Sequence, residues 1–275
     1  MKKFDDKTVY ITGGSKGIGL SVAKAFAGLG SNVVIFARSE GPLQTAVAEI
    51  KESQISERQV IDYASVDVID DEICASVMKE AVANYGVCDI LICCPGGAQP
   101  EYFESISASD FDFTMKLNLY STRNTIAALL PFMKEAGGGH IVTLSSIAGF
   151  LGVFGYTDYC AAKFALIGFS EALKAEMKQY NIKVSVLCPP DTDTPGFENE
   201  NQTKPEETKA ISENAKLMSA EDVAKGLIKG IKKNRFLIIP GFEGKLVYYL
   251  KRFFPWVVEM IMDMTIKKTQ KKRIS

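Results

Sequence analysis

Tyr159 and Lys163, in the run "YCAAK", stand four residues apart, a spacing that puts both side chains over one patch of a helix. A phenol near pKa 10 is a poor acid or base at neutral pH, but an adjacent ammonium stabilises phenolate and lowers that pKa toward the working range. Ser146 lies thirteen residues before Tyr159, at the end of the strand-like run "HIVTLSS". A hydroxyl there is suited to orienting a carbonyl and stabilising oxyanion character. The three together predict proton transfer at a carbonyl oxygen. Hydrolysis fits poorly: the only histidine, His140, is six residues upstream of Ser146 on the same run, and there is no GxSxG elbow.

A second chemical signal is "TGGSKGIG", which follows the apolar run "TVYIT" and opens a helical pattern, the context a phosphate-binding loop requires. Gly13 permits the tight turn, Gly17 lets backbone approach a pyrophosphate, and Gly19 allows helix to pack closely on strand. Ser15 and Ile18 complete the loop, and the helix N-terminus offers N–H groups and positive dipole to phosphate. The next run ends in "FARSE", with Arg38 and Ser39 where an acid would otherwise bind the ribose 2′-hydroxyl. A guanidinium suits a 2′-phosphate, and Lys16 adds a second cation, so NADPH/NADP is expected over NAD. Asp67, followed by Val68 at the close of the third run, either hydrogen-bonds the adenine or caps the next helix.

The elements that must position these residues read as alternating strands and helices. The runs "TVYIT", "NVVIFA", "VIDYASVD", "CDILIC", "HIVTLS", "IKVSVL" and "RFLIIP" are nearly continuous in β-branched and apolar residues, as strands covered on both faces are. They predict an α/β fold: a doubly wound parallel sheet of about seven strands with helices on both faces, in one domain over residues 1–241. The polar run "ENENQTKPEETKAISENAK" falls where a substrate lid is expected, over 194–217, or else is a mobile surface loop. Residues 242–275 form an amphipathic, basic C-terminal segment. Pro255 breaks or starts a helix; beyond it Trp256, Val257, Met260, Ile261 and Met264 share one face, to pack on the domain, on a second subunit or in a membrane interface.

Composition narrows the partners. A net charge of −1 gives nothing global to attract nucleic acid, although the basic end "IKKTQKKRIS" could meet anionic lipid. Six cysteines without a CxxC pair or histidine cluster argue against a metal site or disulfide framework, and predict reduced thiols in a cytosolic compartment. The start, "MKKFDDKTVYITGG", lacks the apolar stretch of a signal peptide.

Over residues 5–240 the chain resembles the short-chain dehydrogenase/reductase family: the glycine loop, Asn118 in "KLNLYS", Ser146, Tyr159 and Lys163 occur in that family's order and spacing. The resemblance implies that Tyr159 is the proton donor or acceptor, that Lys163 tunes it and holds the nicotinamide ribose, and that Ser146 positions the carbonyl. It implies that Asn118 holds a helix distortion and a water linking Lys163 to solvent. One departure is "CCPGG" where the family has Asn-Asn-Ala-Gly; Gly96 still gives the cofactor room, while the missing asparagines leave open how that strand end is tied. Cys93 and Cys94 read as packing residues. In "CPPDTDTPGF", Pro189 and Pro190 open the loop that folds over the nicotinamide, and Thr192 and Thr194 reach its carboxamide or the pyrophosphate. The longer run "PPDTDTPGFENENQTKPEET" resembles the 3-ketodihydrosphingosine (3-dehydrosphinganine) reductase subfamily. That implies NADPH-dependent reduction of a long-chain amino ketone, with Asp191 or Asp193 either receiving the ammonium or organising a turn. Other readings are a 3-oxoacyl, steroid or retinoid carbonyl as substrate, or a non-catalytic NADP-binding redox sensor. The family implies a homo-oligomer, dimer or tetramer. The expected location is cytoplasmic, free or peripheral on a membrane facing the cytosol, which in a eukaryote is the endoplasmic reticulum, with residues 243–275 against the lipid.

Overall fold

The computed structural model describes residues 4–213 and 216–274; Asn214 and Ala215, within the expected lid, lie outside the described residues, as do residues 1–3 and Ser275. In chain order, β1 (Thr8–Thr12), α1 (Gly17–Ala27), β2 (Asn32–Ala37), α2 (Glu40–Lys51), β3 (Ile61–Ser65), α3 (Asp71–Tyr85) and β4 (Ile90–Cys93) make the first half. Then come α4 (Ala108–Met115), α5 (Ser121–Glu135), β5 (Gly139–Leu144), α6 (Thr157–Met177) and β6 (Ile182–Leu187). The last part holds β7 (Thr192–Asp193), α7 (Pro195–Thr203), α8 (Glu206–Ser212), β8 (Met218–Ser219), α9 (Ala220–Lys232), β9 (Leu237–Ile238), α10 (Glu243–Phe253) and α11 (Pro255–Ile274).

Seven strands form one parallel sheet in the order β3-β2-β1-β4-β5-β6-β9. Alternation along each strand divides the core. Val9, Ile11, Val33 and Ile35 face a layer containing Val22, Phe26 and Leu227 of α1 and α9. Tyr10, Val34, Phe36 and Leu91 face the opposite layer with Met78, Leu129 and Leu173 of α3, α5 and α6. Because strand order reverses at β1 and β4, the carboxyl ends of these strands border a crevice between loops that diverge, the place where such sheets bind ligands.

Three expectations change. The seventh run shrinks to two paired residues, since β9 is an edge strand held only by Val186 and Leu187 and is ended by Pro240. The third strand stops at Ser65, and α3 is capped by Asp70, whose Oδ1 accepts from the Ile73 N–H at 2.9 Å. Asp67 therefore does not cap that helix; its Oδ1 accepts from the Ile69 N–H within its own loop. The third concerns the C-terminal segment. Pro255 opens α11, which packs on α8, so the segment folds back over its own chain. The inward residue is Val258, while Trp256, Met260 and Met264 of the expected face stay exposed. Apolar residues occupy 256–258 and 260–262 in unbroken triplets, so periodicity alone could not choose the face that α8 covers.

The polar run is ordered as α7 and α8. Pairing of Thr192 with Met218 and of Asp193 with Ser219 clips the two ends of this excursion together. Thr194 Oγ1 accepts from the Phe197 N–H as the cap of α7, and Pro195 takes the first helical position. Thr208 Oγ1 donates to the Phe154 carbonyl at 2.8 Å, and Tyr102 Oη donates to Glu207 Oε2 at 2.9 Å, fixing α8 to the body.

Candidate active site

The helix leading from α4 to α5 widens into a π-turn over Lys116–Tyr120, centred on the buried Asn118. The wider turn frees local carbonyls from regular pairing and aims the Asn118 amide at the end of β4. Its Nδ2 donates to the carbonyls of Gly97 and Thr114, both at 2.9 Å, while Oδ1 accepts from the Gly97 N–H at 3.3 Å. This is how the "CCPGG" strand end is tied without the family's asparagines. Gly96 is needed for the same junction, because a Cβ there would lie 2.8 Å from Asn118 Oδ1 and 3.1 Å from Lys163 Nζ. Cys93 and Cys94 are buried in the two opposite core layers, and burial pushes the Cys94 thiol up to about 12.

Ser146, Tyr159 and Lys163 meet at the end of β5 and the first turns of α6. Lys163 is buried; its Nζ donates to the Leu144 carbonyl at 2.8 Å and lies 5.3 Å from the centre of the Tyr159 ring. Desolvation brings its ammonium down to about 8, partly offset by the Cys94 and Cys188 thiols and Glu200. Ser146 Oγ accepts from the Ala148 N–H, and the neighbouring Ser145 Oγ donates to the Lys163 carbonyl. His140 is engaged with Ser185 at 2.7 Å, away from any serine nucleophile.

The expected lowering of the Tyr159 pKa is not what this arrangement produces. Burial raises the phenol well above its ordinary value, the Glu200 carboxylate raises it further, and the Ser146 hydroxyl only partly opposes them. Lys163 lies beside the ring and gives its hydrogen bond to Leu144, so desolvation and Glu200 outweigh it. The group therefore holds its proton at neutral pH.

All the residues read from the sequence as cofactor-binding, from Gly13 to Thr194, border a single cavity of about 790 Å³ with Ser146, Tyr159 and Lys163; Asn118 stands behind it. Gly13 has φ +70°, and a Cβ there would lie 2.8 Å from the Cys94 carbonyl group, so only glycine fits. The N-terminus of α1 has no side-chain cap and no acid in its first turn, leaving its N–H groups for an anion. Arg38, Ser39 and Lys16 are exposed at one end, and neither cation has an ion-pair partner among the described residues. Asp67 and Val68 border the same end, their loop held by Asn124, whose Nδ2 donates to the Val68 and Ile69 carbonyls. Pro189 accepts from the Ile147 N–H; Thr192 Oγ1 donates to the Pro190 carbonyl. These features fit a dinucleotide laid from Arg38 across the glycine loop to Tyr159.

The other end holds residues that, Ile261 apart, sequence reading did not single out. Val247 and Leu250 of α10 with Val258, Ile261 and Met262 of α11 give the cavity an apolar wall. Glu200 of α7 also borders it and accepts from Tyr156 Oη at 2.9 Å; the Tyr156 ring lies 5.6 Å from that of Tyr159. Of the two acids expected near a substrate amine, Asp191 lines this cavity. Asp193 does not: it is exposed on a separate hollow beside Lys16 and Lys24.

A family model described as short chain dehydrogenase matches residues 7–205. A 3-ketodihydrosphingosine reductase of Bos taurus is 41% identical over 240 residues, 87% of this chain and 72% of that protein. A 3-dehydrosphinganine reductase of Danio rerio is 40% identical over 246 residues, 89% of this chain and 74% of that one. Among solved structures, a short-chain dehydrogenase/reductase from Burkholderia phymatum in complex with NAD superimposes with a TM-score of 0.75 at 25% identity, covering 87% of this chain and 90% of that one.

Proposed function

Because the chain belongs to the short chain dehydrogenase family and is an oxidoreductase acting between ketone and alcohol, we propose that it reduces the 3-keto group of 3-ketodihydrosphingosine with NADPH. The observation that carries this reading is the two-part lining of one cavity: the Ser146–Tyr159–Lys163 group is continuous with the apolar wall of α10 and α11. A long alkyl chain laid on that wall gains about 0.8 kcal/mol for each buried methylene, enough to select a lipid over a small polar ketone. The names of the two relatives point to the same substrate.

NADPH, held by the residues from Gly13 to Thr194 that border the cavity, would supply the hydride for the carbonyl carbon. Tyr159 gives its phenolic proton to the carbonyl oxygen, Ser146 orients that oxygen, and the resulting secondary alcohol is balanced by one hydride and one proton. Lys163 would hold the nicotinamide ribose, and Asn118 fixes the β4 end beside it. Arg38 and Lys16 favour the 2′-phosphate of NADPH, having no protein carboxylate to neutralise them among the described residues. No helix among the described residues is long and apolar enough to cross a membrane, and the proposed location is peripheral, on lipid facing the cytosol. A homo-oligomer is part of the same proposal; Phe113, Tyr120 and Phe164 stand exposed on adjoining elements as its apolar contact.

The test is NADPH oxidation with 3-ketodihydrosphingosine against a 3-oxoacyl thioester of equal chain length. The expected result is a kcat/KM at least about 10-fold higher for the amino ketone and a loss of about 100-fold or more in Tyr159→Phe. Preference for the thioester would move the chain to another carbonyl; turnover unchanged in Tyr159→Phe would overturn the mechanism. Failure to consume NADPH with any carbonyl would favour a sensor.

A further inference from the structure

Glu200 of α7 borders the cavity that holds Ser146, Tyr159 and Lys163, with more of its chemistry free than a structural acid needs. Only Oε2 is bonded, accepting from Tyr156 Oη at 2.9 Å; Oε1 has no hydrogen-bond donor, and no cation stands at ion-pair distance, among the described residues. Lys204, the nearest candidate on the lid, donates to Asn201 Oδ1 at 2.8 Å and places its ammonium 3.8 Å from the Phe197 ring centre. A carboxylate largely withdrawn from water without a paired cation is costly, and an incoming cation offsets that cost. The position is close to the chemistry, because Tyr156, which holds Glu200, packs its ring on that of Tyr159.

We propose that Glu200 receives the ammonium on the carbon next to the substrate ketone and thereby selects amino ketones over deaminated ones. The assignment rests on the amino-ketone reading above. An ammonium one carbon from the ketone must stay within a few ångströms of the carbonyl held by Ser146 and Tyr159, and Glu200 lines the same cavity, bonded to the Tyr156 whose ring lies 5.6 Å from that of Tyr159. Asp191, lining the same cavity, adds negative potential behind it, and Lys204 and Lys163 are the cations facing the pair from the lid and from α6. Recognition is then coupled to reaction. Of the charges raising the Tyr159 phenol, Glu200 is the largest, so neutralising it with the substrate's ammonium eases release of the proton the carbonyl must take.

The experiment measures kcat/KM at saturating NADPH for 3-ketodihydrosphingosine and its 2-deamino analogue, in wild type, Glu200→Gln and Tyr156→Phe. Wild type is expected to prefer the amino ketone, and Glu200→Gln to reduce that ratio at least about 10-fold, mainly through the KM of the amino ketone. Tyr156→Phe keeps the charge while removing its tether, so it should retain most of the ratio; this separates charge recognition from lid packing. If Glu200→Gln proves inactive, the same ratio is read as binding of the amino alcohol product against its deaminated counterpart. A ratio unchanged in Glu200→Gln, or a wild type that turns over both ketones equally, would overturn the role of Glu200 alone. A wild type that turns over neither would overturn the amino-ketone reading and this assignment with it.

Discussion

In the proposed NADPH reading, Arg38 is the residue on which cofactor choice turns. Its guanidinium is exposed at the end of β2, free of protein carboxylates among the described residues, and Lys16 borders the same part of the cavity. A charge-assisted hydrogen bond to phosphate contributes about 1.5–3 kcal/mol, which corresponds to about 10- to 150-fold in an equilibrium constant. Arg38→Gln is accordingly expected to raise the KM for NADPH by about that factor and to leave NADH nearly unaffected. Steady-state kinetics with the two cofactors decides it; equal changes for both would mean that Arg38 acts on the fold or the adenine and not on the 2′-phosphate. The place of Arg38 on the cavity was legible because it follows the strand after the glycine loop. Glu200 was not, since it lies in a run of Glu, Asn, Gln and Lys in which no periodicity distinguishes one acid from another. Its meaning arises only when α7 turns it toward Tyr156. The tuning of Tyr159 was misread for a related reason: spacing brought Lys163 to the ring, but burial and a carboxylate distant in sequence set the proton affinity.

At the scale of elements, the strands were readable because a parallel strand covered on both faces is a nearly continuous apolar run, and β1, β2, β4, β5 and β6 approach that pattern. Elements whose burial depends on distant partners were harder. β9 lost length at the sheet edge, and α11 chose its inner face by contact with α8. That choice matters because Val258, Ile261 and Met262 join Val247 and Leu250 of α10 as the cavity's apolar wall. If the wall holds the alkyl chain, lengthening a ketone substrate should improve kcat/KM by up to about 4-fold per methylene, the equivalent of 0.8 kcal/mol, until the wall is covered. Leu250→Asn should flatten this dependence and leave short ketones nearly as reactive. A homologous series of 3-keto substrates measures both slopes. Equal slopes in wild type and variant would place the chain elsewhere.

For the whole molecule, the same two helices face outward as well as inward. Phe242, Leu246, Tyr249 and Phe253 recur along one side of α10, and Trp256, Met260 and Met264 continue the exposed apolar surface on α11. An apolar surface of this extent on one end of a water-exposed chain calls for a cover. In the proposed peripheral location lipid is that cover: residues 242–275 hold eight Lys and Arg against three acids in a chain whose net charge is −1. Aromatic rings at headgroup level and lysines near an anionic surface, about 1 kcal/mol each, are the combination that binds a helix in a membrane interface. A hydrocarbon substrate would then reach the apolar wall from the bilayer side without crossing water. Wild type is expected to co-sediment with vesicles containing phosphatidylserine, less so at high salt, and weakly with neutral vesicles. Tyr249→Ser, Phe253→Ser and Trp256→Ser combined should abolish co-sedimentation while a water-soluble short ketone is still reduced. A triple variant that sediments like wild type would remove the membrane from this face. If, in addition, wild type alone formed a larger species in sedimentation equilibrium without lipid, a second copy of the chain would be the cover instead.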